Sequence, residues 1–491
     1  MFKEVPSQVD LPALERAILE FWKKERIFQR SLEQTAGGPR FLFYEGPPTA
    51  NGKPGIHHML ARAFKDLYPR YKTMRGYHVG RKGGWDTHGL PVEIEVEKEI
   101  GSTGKADIEK YGLERFNVRC RESVFRYVRE WERLTERMAF WVDVDAPYIT
   151  FHNSYIETGW WILRQLWDRG LLFEDYKVTM HCPRCNTSLA DHEVAQGFRD
   201  DVDDPSVWVK FRLKGSLPGW HDLGEVFFLA WTTTPWTLPA NAALALAPSA
   251  QYLLVQYQGQ KLILAQARAQ AVLGRGRYKV IGRFKGEELE GLRYEPLYQG
   301  VQGRSDQVSA DAGYRTITDT IVSLVDGTGM VHIAPAYGDL EIGRRTGLPT
   351  FFSVDLSGTA LPHFPKFGGK FFKDADPLIT ADLEQRGLLL RSERVKHNYP
   401  FCWRCEAPLL YYAKTSWYIR TTAVKERLIA LNQTINWVPE HIKNGRFGDW
   451  LNNNVDWALS RERFWGTPLP IWRCQSCGYQ ECIGSVAELS Q

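Results

Sequence analysis

No stretch of this 491-residue chain approaches the ~18–20 uninterrupted apolar residues that a membrane-spanning helix needs. The first residues, MFKEVPSQVDLPALERAILEFW, lack the basic segment and apolar run of a secretory signal. Both absences predict a cytoplasmic protein with no membrane partner. Charge imbalance is also small: 62 basic against 58 acidic residues leave a net charge of +4. That permits a polyanionic partner without demanding one. Cysteine is sparse, with eight in all, yet six of them fall in Cys-x-x-Cys pairs: Cys182/Cys185, Cys402/Cys405 and Cys474/Cys477. In a cytoplasmic chain such spacing points to metal rather than disulfides. HCPRC at 181–185 and FCWRC at 401–405 suit a tetrahedral four-thiolate zinc site. Four thiolates leave no position open to water, so the ion is structural. Cys474 and Cys477 form half of a second site, for which Cys482 is a candidate further ligand.

What is present divides into regions. Residues 12–28 carry Leu14, Ile18, Phe21, Trp22 and Phe28 near helical spacing, with Asp10 and Pro12 as start signals. The apolar run Phe41–Tyr44 reads as a buried strand that Gly46-Pro47-Pro48 must end. After a loop over 49–54, a helix is predicted from His57 with Leu60, Phe64 and Leu67 on one side, ended or kinked by Pro69. Strand, loop and helix start is where parallel α/β folds bind nucleotides, because free N–H groups and the helix dipole attract phosphate. A basic cluster, Arg70, Lys72, Arg75, Arg81 and Lys82, suits either a solvated face or phosphate contact. From about residue 200 to 390 short apolar runs (207–213, 226–231, 252–257, 328–333) alternate with glycine-rich turns. This is a β-rich domain, and the two cysteine pairs at its ends make it an insertion into a parent domain.

Residues 41–91 are the most informative. Gly-Pro-Pro-Thr-Ala-Asn-Gly at 46–52 and Gly-Trp-Asp-Thr-His-Gly-Leu-Pro at 84–91 flank a histidine pair, His57-His58, and later segments read WTTTPWTLPAN at 231–241 and SRERFWGTPLPIW at 460–472. Together these resemble class I aminoacyl-tRNA synthetases, specifically the isoleucyl-tRNA synthetase family, over essentially the whole chain. The resemblance implies an α/β fold. Residues 1–40 would form a helical extension, 41–198 the first half of a Rossmann-like catalytic domain with a zinc knuckle, 199–392 an editing insertion, and 393–491 the second knuckle and the return to the catalytic domain. It implies ligation of isoleucine to tRNA(Ile) with ATP and Mg2+ by a monomer. His58 would bind the ATP phosphates, Gly46 and Pro47 would line the isoleucine pocket, and Asp86 would accept the α-ammonium group, for which a carboxylate is the natural partner.

One departure is sharp. The family reads His-x-Gly-His where this chain has Gly55-Ile56-His57-His58. The usual glycine lets adenine lie against the backbone, an approach that a side chain obstructs. The exchange resembles that of synthetases resistant to mupirocin, a natural mimic of isoleucyl-adenylate.

The insertion implies proofreading. One methylene separates isoleucine from valine, and burying it is worth only about 1–3 kcal/mol, a figure for which this very discrimination is the standard illustration. A second, hydrolytic pocket must therefore remove misattached valine. The matching residues are Thr232, Thr233, Thr234, Asn241, His332 and Asp339; the hydroxyls would position water and the terminal ribose, and Asp339 would hold the ammonium group. Asp339 follows Gly338 directly, two residues sooner than in the family. The Lys-Met-Ser-Lys-Ser loop occurs nowhere in the sequence, and the remaining ligands for Cys474 and Cys477 would lie beyond Gln491. The chain thus reads as an N-terminal fragment. Two rivals remain: a free-standing deacylase of Val-tRNA, and a zinc-stabilised nucleic-acid-binding module without chemistry.

Overall fold

The computed structural model describes residues 8–49, 52–102, 104–220, 223–303 and 308–491. The first seven residues, and Ala50 and Asn51 of the Gly-Pro-Pro segment, lie outside them. The chain divides into two bodies, 1–172 with 463–491, and 173–462. None of the described helices is long and apolar enough to cross a membrane.

In the first body the N-terminal helix is two. Helix α1 (Leu11–Lys24) is capped by the Asp10 carboxylate accepting from the Ala13 N–H, and α2 (Ile27–Gln34) follows a left-handed Arg26. Phe28 therefore belongs to α2, because the periodic pattern ran through a break that carries no glycine or proline. Three parallel strands follow in the order β1 (Arg40–Tyr44), β2 (His78–Trp85), β3 (Asp143–Ile149). The expected buried strand at 41–44 is β1, but it lies at the sheet edge with Leu42 68% exposed.

Helix α3 (His57–Met74) contains Pro69 without ending there. Its buried side chains are Arg62 and Pro69, while Leu60, Phe64 and Leu67, the face expected to pack, are exposed. Hydrophobic spacing located the helix but not the face it buries. The basic cluster is largely structural: Arg70 and Arg81 pair with Asp66 and lie over Trp141, and Lys72 lies over Phe41 and Tyr77. Helices α4 (Leu90–Ile100), α5 (Lys105–Tyr111) and α6 (Leu113–Arg137) also belong to this body. Phe116, Cys120 and Val124, four residues apart on α6, pack against Val92, Val96 and Ile108.

The second body is built on a ten-stranded sheet with Lys279–Lys285 at one end of the order and Leu389–Pro400 at the other. The Val226–Thr232 strand pairs antiparallel with Phe198–Lys214 and parallel with Gln260–Ala265 and Met330–Ile333. Its extra pairing with Phe198–Lys214 closes part of the sheet into a ring. Val207, Phe211, Phe228, Leu244, Ile263 and Ile317, all buried, belong to one core. Alternate positions of the same strands, Phe227, Leu229, Leu262 and Leu264, pack into a second core, so these strands are buried on both faces and read as continuous apolar runs.

Candidate active sites

In the first body, β1 and β2 are parallel neighbours, and the segments carrying the expected ligands leave their C-terminal ends. Asp86 N–H donates to the Pro48 carbonyl (3.1 Å), and Thr49 Oγ1 donates to Asp86 Oδ2 (3.2 Å). Asp86 is thereby tied to the segment that contains Gly46 and Pro47. Burial raises its pKa, opposed by the hydrogen bonds from Thr49 and the His88 backbone. A desolvated carboxylate of this kind favours a cationic ligand.

Helix α3 begins with no side-chain cap and no acidic residue in its first turn; the His58 and Met59 N–H groups turn to the Gly55 and Ile56 carbonyls (both 3.0 Å), and the helix dipole favours an anion at this end. The Gly55 N–H donates to His58 Nδ1 (2.9 Å), the shorter of the two contacts between that nitrogen and the Gly55 backbone. The Nδ1 edge is thus held by the Gly55 backbone, and burial lowers the His58 pKa and favours the neutral ring. His57 packs against His58 with centroids 3.8 Å apart and the rings tilted by 41°, and its ring covers Gly55: a Cβ at 55 would lie 2.7 Å from His57 Cε1. Trp131 meets His58 edge-on and donates from Nε1 to the Gly52 carbonyl (3.1 Å).

Sequence reasoning missed several supports. Lys65 donates to Glu45 and to the Gly46 carbonyl. Arg463, almost fully buried, sits between the buried Glu93 and Glu97. Glu93 Oε1 also accepts the Phe464 N–H (2.8 Å), and Trp465 donates from Nε1 to the Thr87 carbonyl (2.6 Å) and accepts the Gly89 N–H (2.8 Å). This clip holds Asp86–Gly89 from behind. His88, edge-on to Trp465, has its pKa pushed down to about 4 by burial. The SRERFW segment was the available signal, but nothing in it says which residues meet.

In the second body, the Val226–Thr232 and Met330–Ile333 strands run parallel with Trp231 opposite Val331. Thr232–Thr234 and His332–Asp339 thus lie at one end of adjacent strands, each followed by a short 3-10 turn, Pro235–Ala240 and Pro335–Tyr337. Thr232, Thr233 and Thr234 are half-buried, whereas Asn241 and His332 are buried. The two enclosed groups face each other, Asn241 Nδ2 to His332 Nδ1 at 2.8 Å, and His332 Nε2 lies 3.0 Å from Thr237 Oγ1. Burial pushes the His332 pKa down to about 4. Asn241 and His332 are thus engaged with each other and linked through Thr237 to Thr234. Asp339, despite the short link, turns back so that Oδ2 accepts the Ala334 N–H (2.9 Å), and burial pushes its pKa up to about 6. Asp376 accepts the Trp236 N–H (2.8 Å) and anchors the 3-10 turn that bears Thr237.

Cys182, Cys185, Cys402 and Cys405 meet with all four sulfurs within 4.8 Å of one another, and the Cys185 N–H donates to Cys182 Sγ (3.3 Å). None is in a disulfide. A tetrahedral ion with metal–sulfur bonds of about 2.3 Å fits this set. Cys474 and Cys477 sit exposed on the turn between Ile471–Arg473 and Gln480–Cys482. Among the described residues Cys482, which is buried, does not join them in a cluster.

The family model described as tRNA synthetases class I (I, L, M and V) matches residues 17–491, and the chain belongs to that family. It is 53% identical over 510 residues to the isoleucine–tRNA ligase of Dehalococcoides mccartyi strain CBDB1, covering 100% of this chain and 50% of that protein. Against the isoleucine–tRNA ligase of Thermus thermophilus it is 52% identical over 491 residues, covering 100% and 46%. The chain spans about half the length of the curated relatives it matches.

Proposed function

We propose that this chain carries the ATP- and isoleucine-binding half of an isoleucine–tRNA ligase together with a hydrolytic site that clears valine from tRNA(Ile). The observation that carries the reading is that both residue sets stand where parallel strands end. At the first lie a helix start and the half-buried Asp86 carboxylate; at the second the threonine run and the segment leading to Asp339 leave adjacent strands. Such strand ends are where α/β sheets bind ligands. In the first, the start of α3 and His58 would hold the phosphates of ATP bound with Mg2+, and Asp86 would hold the α-ammonium of isoleucine. In the second, Thr232, Thr233 and Thr234 would position water and the terminal ribose, with Asp339 on the ammonium group of valine. Zinc would hold the roots of the β-rich region at Cys182, Cys185, Cys402 and Cys405, and cytoplasmic tRNA is the macromolecular partner.

The test is deacylation of Val-tRNA(Ile) and Ile-tRNA(Ile) by the purified chain, with ATP–pyrophosphate exchange measured alongside. Preferential loss of valine supports the editing site. Equal hydrolysis of both esters, or none, overturns it. Metal analysis should return at least one zinc per chain, and Cys182→Ser should lower Tm sharply because binding energy in such a site is folding energy. Less than half an equivalent overturns the zinc assignment.

A further inference from the structure

Behind the threonine run lies a hydrogen-bond chain whose direction is set at the Asn241 amide, held between the Ala243 carbonyl on its nitrogen and the Tyr294 hydroxyl on its oxygen. Asn241 Nδ2 contacts both the Ala243 carbonyl (2.9 Å) and His332 Nδ1 (2.8 Å), while Asn241 Oδ1 accepts from the Tyr294 hydroxyl (2.6 Å). A carbonyl can only accept, so the amide nitrogen must face Ala243. The amide's second hydrogen then points at His332 Nδ1, which must be a lone pair. His332 therefore carries its proton on Nε2 and donates it to Thr237 Oγ1 (3.0 Å). Thr237 donates in turn to the Thr234 carbonyl (2.8 Å), leaving its oxygen free to accept from Thr234 Oγ1 (3.2 Å). Thr232 Oγ1 accepts the Thr234 N–H (3.1 Å), so its own hydrogen is directed at Thr234 Oγ1 (3.1 Å). The hydroxyl hydrogens of Thr232, Thr234 and Thr237 are then committed within the chain, and the open sides of Thr232 and Thr234 present lone pairs; the Thr233 hydroxyl stands outside it.

We propose that Tyr294 is a positioning residue for the hydrolytic reaction: by donating to Asn241 it helps hold a one-way chain that makes the Thr232 and Thr234 hydroxyls hydrogen-bond acceptors. The inference rests on the editing reading and deepens it. Such a surface binds groups that donate, namely a ribose hydroxyl, an ammonium group or a water whose lone pair is left facing the ester carbon. It also means that His332 does not take a proton from water, since Nδ1 is engaged by Asn241 and Nε2 already bears a hydrogen. Tyr294 is 1% exposed and packs edge-on against Phe211 (centroids 5.3 Å). Phenylalanine keeps that packing and removes only the donor.

The experiment uses the whole chain with 15N-labelled histidine, the His332 signal being assigned by its loss in His332→Gln. Wild type should show a neutral imidazole protonated at Nε2 from pH 5.5 to 8. Tyr294→Phe should release the amide, mix the two tautomers and lower kcat for Val-tRNA deacylation at least tenfold with KM changed less than threefold. Asn241→Asp, which accepts where the amide donates, should place a proton on Nδ1. A wild-type spectrum with Nδ1 protonated, or a Tyr294→Phe variant with unchanged tautomer and kcat, overturns the proposal. If wild type shows the Nε2–H tautomer but hydrolyses neither ester, it is the editing reading that has failed. Proteins that lose the native spectrum are separated by Tyr294→Leu, which removes the ring as well; a kcat loss confined to that variant also overturns the proposal.

Discussion

At the scale of single residues, Asp339 joins pH to both stability and selectivity. Burial holds its pKa near 6 against an ordinary 3.8. The folded chain thus binds this proton more tightly than the unfolded chain does. Its stabilising share is complete below about pH 4 and is lost as pH rises through about 6. The ammonium contact requires the opposite state, an ionised carboxylate. KM for Val-tRNA should therefore fall as pH rises through about 6, and Asp339→Asn should abolish that limb; a KM flat from pH 5 to 7 in the unmutated chain would show that Asp339 does not touch the substrate. Gly55 and His57 form a second residue-scale case. The ring of His57 occupies the space a side chain at 55 needs, so the two positions must change together. In a full-length enzyme carrying this sequence, Gly55→His with His57→Gly should regain inhibition by the adenylate mimic at least about tenfold, or ~1.4 kcal/mol. Gly55→His alone should lower Tm without that gain. Equal inhibition of the double variant and the parent would make the exchange neutral.

At the scale of elements, the segment from Arg463 to Trp465 is a clasp on α4 and on the turn after Asp86. Arg463 neutralises two fully buried carboxylates. Arg463→Ala would leave both without their cation, a loss of about 3–5 kcal/mol, read as a lower midpoint in urea unfolding. Arg463→Lys should recover only part of it, because an ammonium cannot span two carboxylates as a planar guanidinium does. A change below 1 kcal/mol in the alanine variant would show that water reaches Glu93 and Glu97. Much of this level was legible beforehand. The strand–loop–helix at 41–74, the β-rich run from about 200 and the four-cysteine cluster all follow from local pattern, because periodicity, turn residues and ligand spacing are local properties. The clasp and the Tyr294–Asn241 contact join residues hundreds or tens of positions apart, and no local pattern encodes such a meeting. Burial of β1 and of the Leu60–Phe64–Leu67 face failed for a related reason: an apolar stripe says that a surface wants cover, not that the same chain segment supplies it.

At the scale of the whole molecule, that uncovered surface has a physical consequence. The edge of β1 leaves Leu42 and Tyr44 exposed, and α3 adds Leu60, Phe64, Leu67 and Tyr71. Exposed apolar patches and free strand edges drive association, a pressure that acts against the monomer implied by family resemblance. The isolated chain should bind an apolar dye and show a weight-average mass that rises with concentration in light scattering. Phe64→Glu with Leu67→Lys should suppress both, whereas dye binding unchanged in that variant would place the sticky surface elsewhere.

The clasp also sets a clock. The first body is interrupted after Leu172 and resumes at Arg463, so 463 − 172 = 291 residues must be polymerised before its arginine exists. At about 5–20 residues per second the ribosome takes roughly 15–60 s to bridge that interval. Throughout it, Glu93 and Glu97 have no cation between them and the turn after Asp86 has no tryptophan beneath it. The β-rich body meanwhile emerges whole. Order of synthesis therefore reverses order in the chain: the part begun first is the part finished last, and while the inserted body is being made the nascent protein carries an open parent domain that chaperones and proteases can reach.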